Sequence, residues 1–164
     1  MAFFDGAAVD SKGGAGVCIW INEQNFIEMK LGCGWSTATR ADLLALWALL
    51  SIVKDIGFPY LHIFGDSSVI INWAKDESTL AIVNLDAWCN NTKKPISSFT
   101  SVDFSHVYKE YSMRSDSLSK KGLLMAPDHL TFTEFCKGDI YGEVNLQLFW
   151  EFALMWLRSI FCYS

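Results

Sequence analysis

The stretch Leu61-His-Ile-Phe-Gly-Asp-Ser-Ser-Val-Ile-Ile-Asn-Trp-Ala74 decides how this chain is expected to fold. Its first four residues, Leu61–Phe64, form a short, mainly apolar run that is typical of a strand. Ser67 is a suitable N-cap for a helix that continues to Ala74. Asp66 lies between these two elements. Because α/β proteins bind ligands at the carboxyl ends of parallel strands, this stretch predicts a functional site around Asp66.

Strands and helices flank this stretch in an order that predicts the topology. We predict strands at Ala2–Asp5, Val17–Ile21 and Phe26–Leu31, a glycine-rich turn through Gly13, Gly14 and Gly16, and a helix from Thr39 to a cap at Gly57. Further along, we predict a short helix around Leu85–Trp88, a strand at Val102–Val107 and a helix at Arg114–Lys121. Helical crossovers favour parallel pairing of the strands they join. The predicted fold is therefore α/β, with a mixed five-stranded sheet (three antiparallel strands and then two parallel ones) flanked by helices.

The last quarter of the chain differs from the rest. A chain of 164 residues with 51% hydrophobic content suits one domain, which we place at residues 1–122, with residues 123–164 as an apolar C-terminal extension. Leu146–Phe161 is an apolar run interrupted by the charges of Glu151 and Arg158, and it falls short of the about 20 apolar residues that a membrane-spanning helix needs. We expect a helix packed on the domain or a poorly adapted tail, and we do not expect membrane attachment.

Charge and cysteine usage bear on location and partners. The five cysteines are scattered and odd in number, which favours a reducing intracellular compartment, either cytoplasm or nucleus, and the first residues lack the basic region of a signal peptide. The net charge of −5 does not favour strong non-specific binding of nucleic acid. Six of the thirteen basic residues nevertheless fall within residues 89–121, where a local basic face is possible: Lys93, Lys94, Lys109, Arg114, Lys120 and Lys121.

Four acidic residues occupy positions that suit a metal site. Asp5 and Asp66 directly follow predicted strands, whereas Asp42 and Asp116 lie in the first turns of predicted helices. Four converging carboxylates repel one another unless a cation lies between them, and oxygen ligands alone suit Mg²⁺ or Mn²⁺. Simpler explanations exist for each acid: a turn at Asp5, a cap next to Asp66, a capping box formed with Thr39 at Asp42, and favourable placement in a helix dipole at Asp116.

Four stretches of this sequence resemble the motifs of a known family and occur in the same order as in that family. They are Phe3-Phe-Asp-Gly-Ala-Ala8 followed by Gly13-Gly-Ala-Gly16, Thr37-Ala-Thr-Arg-Ala-Asp-Leu-Leu-Ala-Leu46, Phe64-Gly-Asp-Ser67, and His106-Val-Tyr-Lys-Glu-Tyr-Ser-Met-Arg-Ser-Asp-Ser-Leu-Ser119. The second resembles T-N-x-x-A-E-L-x-A-L and the last resembles H-x-x-R-E-x-N-x-x-A-D-x-L-A, both from type 1 ribonuclease H domains. Residues 2–122 are covered, and the plant, retroelement-related (reverse transcriptase-like) branch is the most similar.

The resemblance implies a ribonuclease H-like fold and metal-dependent endonucleolytic hydrolysis of the RNA strand of RNA–DNA hybrids. It implies that Asp5, Asp42, Asp66 and Asp116 hold two Mg²⁺ ions, with Mn²⁺ as an alternative, and that no small-molecule cofactor is needed. His106 would assist proton transfer or product release; the alternative, a strand-end histidine hydrogen-bonded to backbone, fits the sequence equally well. The residues expected to contact nucleic acid are Gly6, Thr39, Ser67, Lys93, Lys94, Lys109 and Arg114.

Departures from the family motifs leave a second interpretation open. Asp42 stands where the family has Glu, Ala38 and Ser112 replace amides, and Ser115 replaces Ala. These changes favour a catalytically degenerate module that binds nucleic acid weakly, or a retroelement remnant. They also predict that the Asp42 carboxylate falls short of the metal. On that basis Asp42→Glu would raise cleavage and, given the capping box, leave stability nearly unchanged.

Overall fold

A computed structural model describes residues 1–80 and 85–148 of the chain. Seven strands form one sheet in the order β5-β4-β1-β2-β3-β6-β7. The strands are β1 (Ala2–Val9), β2 (Lys12–Trp20), β3 (Phe26–Trp35), β4 (Tyr60–Gly65), β5 (Ser101–His106), β6 (His129–Cys136) and β7 (Asp139–Gln147). The helices are α1 (Ala38–Ile56), α2 (Ser68–Ala74), α3 (Asp86–Lys93) and α4 (Met113–Gly122), and short 3₁₀ turns follow α3 and β5.

The predicted topology of the first five strands is confirmed. Strands β1, β2 and β3 pair antiparallel, β4 lies parallel to β1, and β5 lies parallel to β4. The sheet nevertheless has seven strands and not five, because β6 pairs antiparallel with β3 and β7 with β6. The predicted extension therefore continues the same sheet as far as Gln147. The domain boundary at residue 122 stays a prediction, and most of the apolar segment at 146–161 lies outside the described residues.

A tight hairpin explains the two additional strands. Lys137 and Gly138, between β6 and β7, both have positive φ angles, as a two-residue turn of this hand requires. Leu130 and Phe132 alternate along β6 and are buried in the main core. Within the predicted C-terminal extension, Lys137 and Gly138 therefore form the turn of a β-hairpin.

The glycines at 13, 14 and 16 form no turn. All three lie within β2, and the turn between β1 and β2 is made by Asp10 and Ser11, whose φ angles are 50° and 62°. A Cβ atom at Gly14 would lie 2.3 Å from the Ser119 carbonyl oxygen, and one at Gly16 would lie 2.4 Å from the Ser115 carbonyl oxygen. Gly14 and Gly16 are therefore needed for close packing of α4 on the sheet.

The two long helices cover opposite faces of the sheet. Helix α1 packs against β1 and β2 with every residue from Ala41 to Val53 buried, because α3 covers its outer side. Trp47 of α1 meets Trp88 of α3 edge to face, with ring centroids 5.5 Å apart. Helix α4 packs on the other face, over β1, β2 and β3. Among the described residues, no helix has the length and apolarity to cross a membrane.

The helix ends are largely as predicted. Gly57 ends α1 in the left-handed conformation (φ 88°), and the Ser67 side chain caps α2 by accepting a hydrogen bond from the Ile70 N–H. The start of α1 differs by two residues, because Thr37 and not Thr39 is its N-cap and accepts from the Arg40 N–H. The predicted capping box between Thr39 and Asp42 is therefore wrong.

Gly16→Ala tests the packing of α4 on β2. The added methyl group meets two backbone atoms of α4 at 2.4 Å, and backbone cannot rotate out of the way as a side chain can. We expect a loss of about 3 kcal/mol in the free energy of unfolding, at the upper end for overpacked positions. Thermal unfolding measures the change.

The control is Gly142→Ala in β7, where an added Cβ meets no atom within 4 Å. It is expected to change the melting temperature by no more than about 2 °C, less than 1 kcal/mol in a chain of this size. Equal melting temperatures for the two variants would contradict the role given to Gly16.

Candidate active site

Two neighbouring parallel strands place Asp5 and Asp66 side by side. Phe4 of β1 pairs with Gly65 of β4, and the residue that follows each of them in the chain is an aspartate. Helix α1 brings Asp42 to the same end of the sheet. The ligand atoms of these three acids all lie within 4.8 Å of one another, and Asp5 and Asp42 are only 3% and 8% exposed. The structure thus brings together three of the four predicted acids.

Direct contact between α1 and β1 determines the position of Asp42. The Gly6 N–H donates a hydrogen bond to Asp42 Oδ1 at 2.7 Å. A Cβ atom at Gly6 would lie 2.2 Å from the Asp42 backbone nitrogen, so only glycine permits this approach. The short aspartate side chain therefore reaches the other two acids because its helix lies against the strand. Whether this carboxylate falls short of a metal ion, as the sequence analysis predicts, stays a prediction.

Burial and mutual repulsion make two of these carboxyls weak acids in the metal-free chain. Burial, with the charge of Asp66 adding to it, raises the pKa of Asp5 to about 7, against the opposing effect of the hydrogen bond from Ser119. Burial and then the charge of Asp5 raise the pKa of Asp42 to about 8, although the Gly6 N–H and the Ser67 hydroxyl both favour its ionised form. A bound cation would relieve this penalty.

Asp116 is not part of the group. Its two carboxylate oxygens contact Lys109 Nζ at 2.8 Å and Lys120 Nζ at 2.7 Å. Burial alone would raise the pKa of the Asp116 carboxyl, but these two positive charges outweigh burial and hold the pKa below its usual value. The hydrogen-bonded ion pair with Asp116, with smaller effects from the charges of Asp5 and Asp66, raises the pKa of Lys109.

His106 lies at the end of β5 on the rim of the site. Its Nε2 atom is 3.1 Å from the backbone carbonyl oxygen of Asp66, and its ring meets Tyr108 edge to face. This is the backbone-bonded, strand-end arrangement that the sequence analysis left open. The side chain is exposed and adjoins a site acid, so the arrangement is also compatible with proton transfer.

The predicted basic contacts are dispersed. Arg114 pairs with Glu28 and lies over the Phe26 ring at 4.2 Å, among the aromatic residues packed on the α4 face of the sheet. Lys93 pairs with Asp76 and lies over Trp73, and Lys94 is 3.5 Å from the Asn91 side chain. Of these four, Lys109 alone forms an ion pair with one of the predicted acids, Asp116, among the described residues. Their contacts with nucleic acid remain predictions.

Sequence reasoning missed Ser119. Its hydroxyl is fully buried and lies 2.7 Å from Asp5 Oδ2, across 114 residues of sequence. The signal was present in the last motif, where the family pattern ends in Ala and this chain has Ser. Nothing in local spacing connects that position to Asp5, because α4 reaches β1 only through the packing of the whole sheet.

The sheet order and the acids at its central strand ends define a ribonuclease H-like α/β domain. The chain belongs to the reverse transcriptase-like family, whose model matches residues 3–122. No curated protein sequence matches it.

Solved structures of ribonucleases H share the fold. RNase H1 from the archaeon Halobacterium salinarum is 23% identical with a TM-score of 0.63, covering 76% of this chain and 97% of its own. LC11-RNase H1 from compost, solved with an RNA/DNA hybrid, is 20% identical with a TM-score of 0.66, covering 73% and 93%. LC9-RNase H1, described as a type 1 RNase H with the type 2 active-site motif, is 14% identical with a TM-score of 0.60 and covers 96% and 83%.

The raised pKa values predict how pH affects the metal-free protein. Asp5 and Asp42 both have a higher pKa in the folded protein than the unfolded value of 3.8, so their protonated forms stabilise the fold. This stabilisation is complete below pH 3.8 and is lost as the pH rises through the folded-state pKa. We therefore expect the melting temperature of Asp42→Asn, measured in EDTA, to rise relative to that of wild type as the pH increases from about 4 to about 8. The asparagine keeps an oxygen for the Gly6 N–H and carries no charge.

The control for this measurement is Asp139→Asn, at an exposed acid in β7 far along the sheet from β1. Its melting temperature should follow the wild-type pH profile. A constant difference between Asp42→Asn and wild type at every pH would show that ionisation of Asp42 does not oppose folding.

Proposed function

We propose that this protein is a metal-dependent endonuclease that hydrolyses the RNA strand of RNA–DNA hybrids. The observation that carries the proposal is the group of Asp5, Asp42 and Asp66, with ligand atoms within 4.8 Å of one another at the point where the parallel pairing of β1 and β4 ends. The fold it shares with ribonucleases H, one of them solved with an RNA/DNA hybrid, supports nucleic acid as the partner. Membership of the plant retroelement-related branch stays a prediction.

The donor set fits divalent magnesium or manganese. All three side chains offer hard oxygen atoms, and two of them are buried acids whose pKa values are raised in the absence of a cation. Asp5, Asp42 and Asp66 would hold the ion, and Asp116 would contribute to a second ion on release from Lys109 and Lys120. A bound divalent ion supplies Lewis-acid activation of water and stabilises negative charge on the scissile phosphate.

The chain's own residues around the acids have separate tasks in this proposal. The Gly6 N–H holds Asp42 in place through a hydrogen bond that favours its charged form. His106 is exposed at the rim, where its ring can exchange a proton with solvent once it leaves the Asp66 carbonyl. Lys109 is 60% exposed and is placed to contact a phosphate next to the acids.

One observation favours the second candidate, a degenerate module that binds nucleic acid without cleaving it. Asp116 is the fourth acid of the motif, and two lysines neutralise it outside the three-acid group. If that arrangement persists on hybrid, the site has three acids only. Binding without cleavage at saturating Mg²⁺ and Mn²⁺ is the result that would select this candidate.

Cleavage of an end-labelled RNA–DNA hybrid tests the proposed function. We expect RNA fragments with Mg²⁺ or Mn²⁺, none with EDTA, and none from double-stranded DNA of the same sequence. Asp66→Asn removes a charge from the three-acid group and should lower the cleavage rate at least about a hundredfold, or roughly 2.7 kcal/mol of barrier.

The same variant tests binding of the ion to the protein in the absence of nucleic acid. Mg²⁺ binds the native state alone and should raise the wild-type melting temperature, and Asp66→Asn should reduce that gain. The control is Asp103→Asn, at an exposed acid in the neighbouring strand β5, which should keep the full gain. If Mg²⁺ raises the melting temperature of Asp66→Asn as much as it raises that of wild type, the stabilising ion binds elsewhere.

Asp42→Glu tests the account of the shorter acid. The Asp42 carboxylate already lies within the three-acid group and accepts the Gly6 N–H, so an added methylene has to be fitted into a buried site. We expect no gain in hybrid cleavage and a fall in melting temperature of about 2–12 °C, as overpacking by about 1–3 kcal/mol would give. A tenfold or greater gain in rate would show instead that Asp42 is too short for the reaction.

A further inference from the structure

The buried hydroxyl of Ser119 is the contact between α4 and the acid site. Ser119 Oγ donates a hydrogen bond to Asp5 Oδ2 at 2.7 Å, and both residues are buried, with exposures of 0% and 3%. A hydrogen bond to a charged carboxylate is short and stronger than one between neutral groups. This bond therefore constrains the orientation of one acid of the three-acid group.

Close backbone packing makes this contact possible. Asp5 of β1 pairs with Gly16 of β2, and a Cβ at Gly16 would lie 2.4 Å from the Ser119 backbone nitrogen. The missing side chain at Gly16 therefore lets α4 approach close enough for Ser119 to reach the adjacent strand. Gly122, in the last turn of α4, makes a second close approach of this kind to the Leu31 carbonyl oxygen of β3.

The hydroxyl has two acceptors within reach. Ser119 Oγ is also 2.8 Å from the backbone carbonyl oxygen of Asp116, one turn earlier in α4. A hydroxyl carries one proton and so donates to one acceptor at a time. The ionised carboxylate of Asp5 is the stronger acceptor, and the bond to it is the one formed when the site holds a cation.

We propose that Ser119 is a positioning residue for Asp5. By holding Oδ2 toward α4, it leaves the other carboxylate oxygen to face the cation together with Asp42 and Asp66. This inference rests on the proposed function, because it needs the three acids to bind a divalent ion. Groups that hydrogen-bond to metal ligands fix the orientation of those ligands, and losing one typically costs roughly 10–100-fold in metal affinity.

Ser115 provides a matched control on the same helix. It is also fully buried and also replaces an alanine of the family motif. Its hydroxyl donates to the Ser112 carbonyl oxygen at 2.9 Å and makes no bond to an acid of the site. Ser115→Ala and Ser119→Ala thus remove the same atom from the same environment, but only the second removes a contact with Asp5.

The experiment measures Mn²⁺ binding to the full chain by titration calorimetry and by the spectrum of the bound ion. We expect Ser119→Ala to weaken Mn²⁺ binding by roughly 10–100-fold and Ser115→Ala to change it by less than about twofold. Metal-free melting temperatures of the two variants should be similar, because each loses one buried hydrogen bond. Equal Mn²⁺ affinities in the two variants would overturn the inference.

Hybrid cleavage as a function of Mg²⁺ concentration separates this inference from the proposed function. Ser119→Ala should raise the half-saturating Mg²⁺ concentration while keeping most of the rate at saturation, since the acids themselves remain. A fall in the saturated rate at unchanged half-saturation would contradict a positioning role. Absence of Mn²⁺ binding by the wild-type chain would overturn the proposed function together with this inference, whereas wild-type binding unaffected by Ser119→Ala overturns the inference alone.

Discussion

Helices α1 and α4 pack on opposite faces of the sheet, and their backbones lie in close contact with the backbones of the central strands. The positions of the site residues follow from this packing. The absence of a side chain at Gly6 allows α1 to pack closely on one face. The absence of side chains at Gly14 and Gly16 allows the same for α4 on the other face. Any larger residue at these positions would move a helix outward by the size of a methyl group or more. Because Asp42 and Ser119 lie on those helices, such a shift would separate them from Asp5. The geometry of the site therefore depends on the missing Cβ atoms.

The site also stores unfavourable electrostatic energy in the absence of a cation. Desolvation and mutual repulsion raise the pKa values of Asp5 and Asp42 to about 7 and about 8, while donors such as the Gly6 N–H and the Ser119 hydroxyl oppose that shift. The hydrophobic contacts of α1 and the sheet offset this cost. A fold with a smaller core would not tolerate two buried acids so close together.

Sequence patterns predicted the order and direction of the first five strands, because apolar runs, caps and crossover lengths are local signals. They placed Asp5 and Asp66 together because parallel neighbouring strands bring their carboxyl ends to the same edge of the sheet, whereas Asp42, on a helix, joined them through the resemblance to the family motif. They did not predict that Asp116 would be neutralised by Lys109 and Lys120, because ion pairing depends on side-chain geometry. The glycines of β2 were misread as a turn, since a glycine needed for helix packing and a glycine needed for positive φ look the same in sequence.

The contact between Asp5 and Ser119 joins residues 114 positions apart, and this separation bears on the order of folding. The β1–β2 and β2–β3 hairpins are local pairings that lose little chain entropy on closing, whereas α4 meets β1 only after most of the domain has been synthesised. Asp5, Asp42 and Asp66 all lie within the first 66 residues, so the Ser119 hydrogen bond is the last of these site contacts to become available as the chain is made. A chain made only as far as Asp66 therefore carries the three acids but lacks the contact that orients Asp5, which α4 adds afterwards.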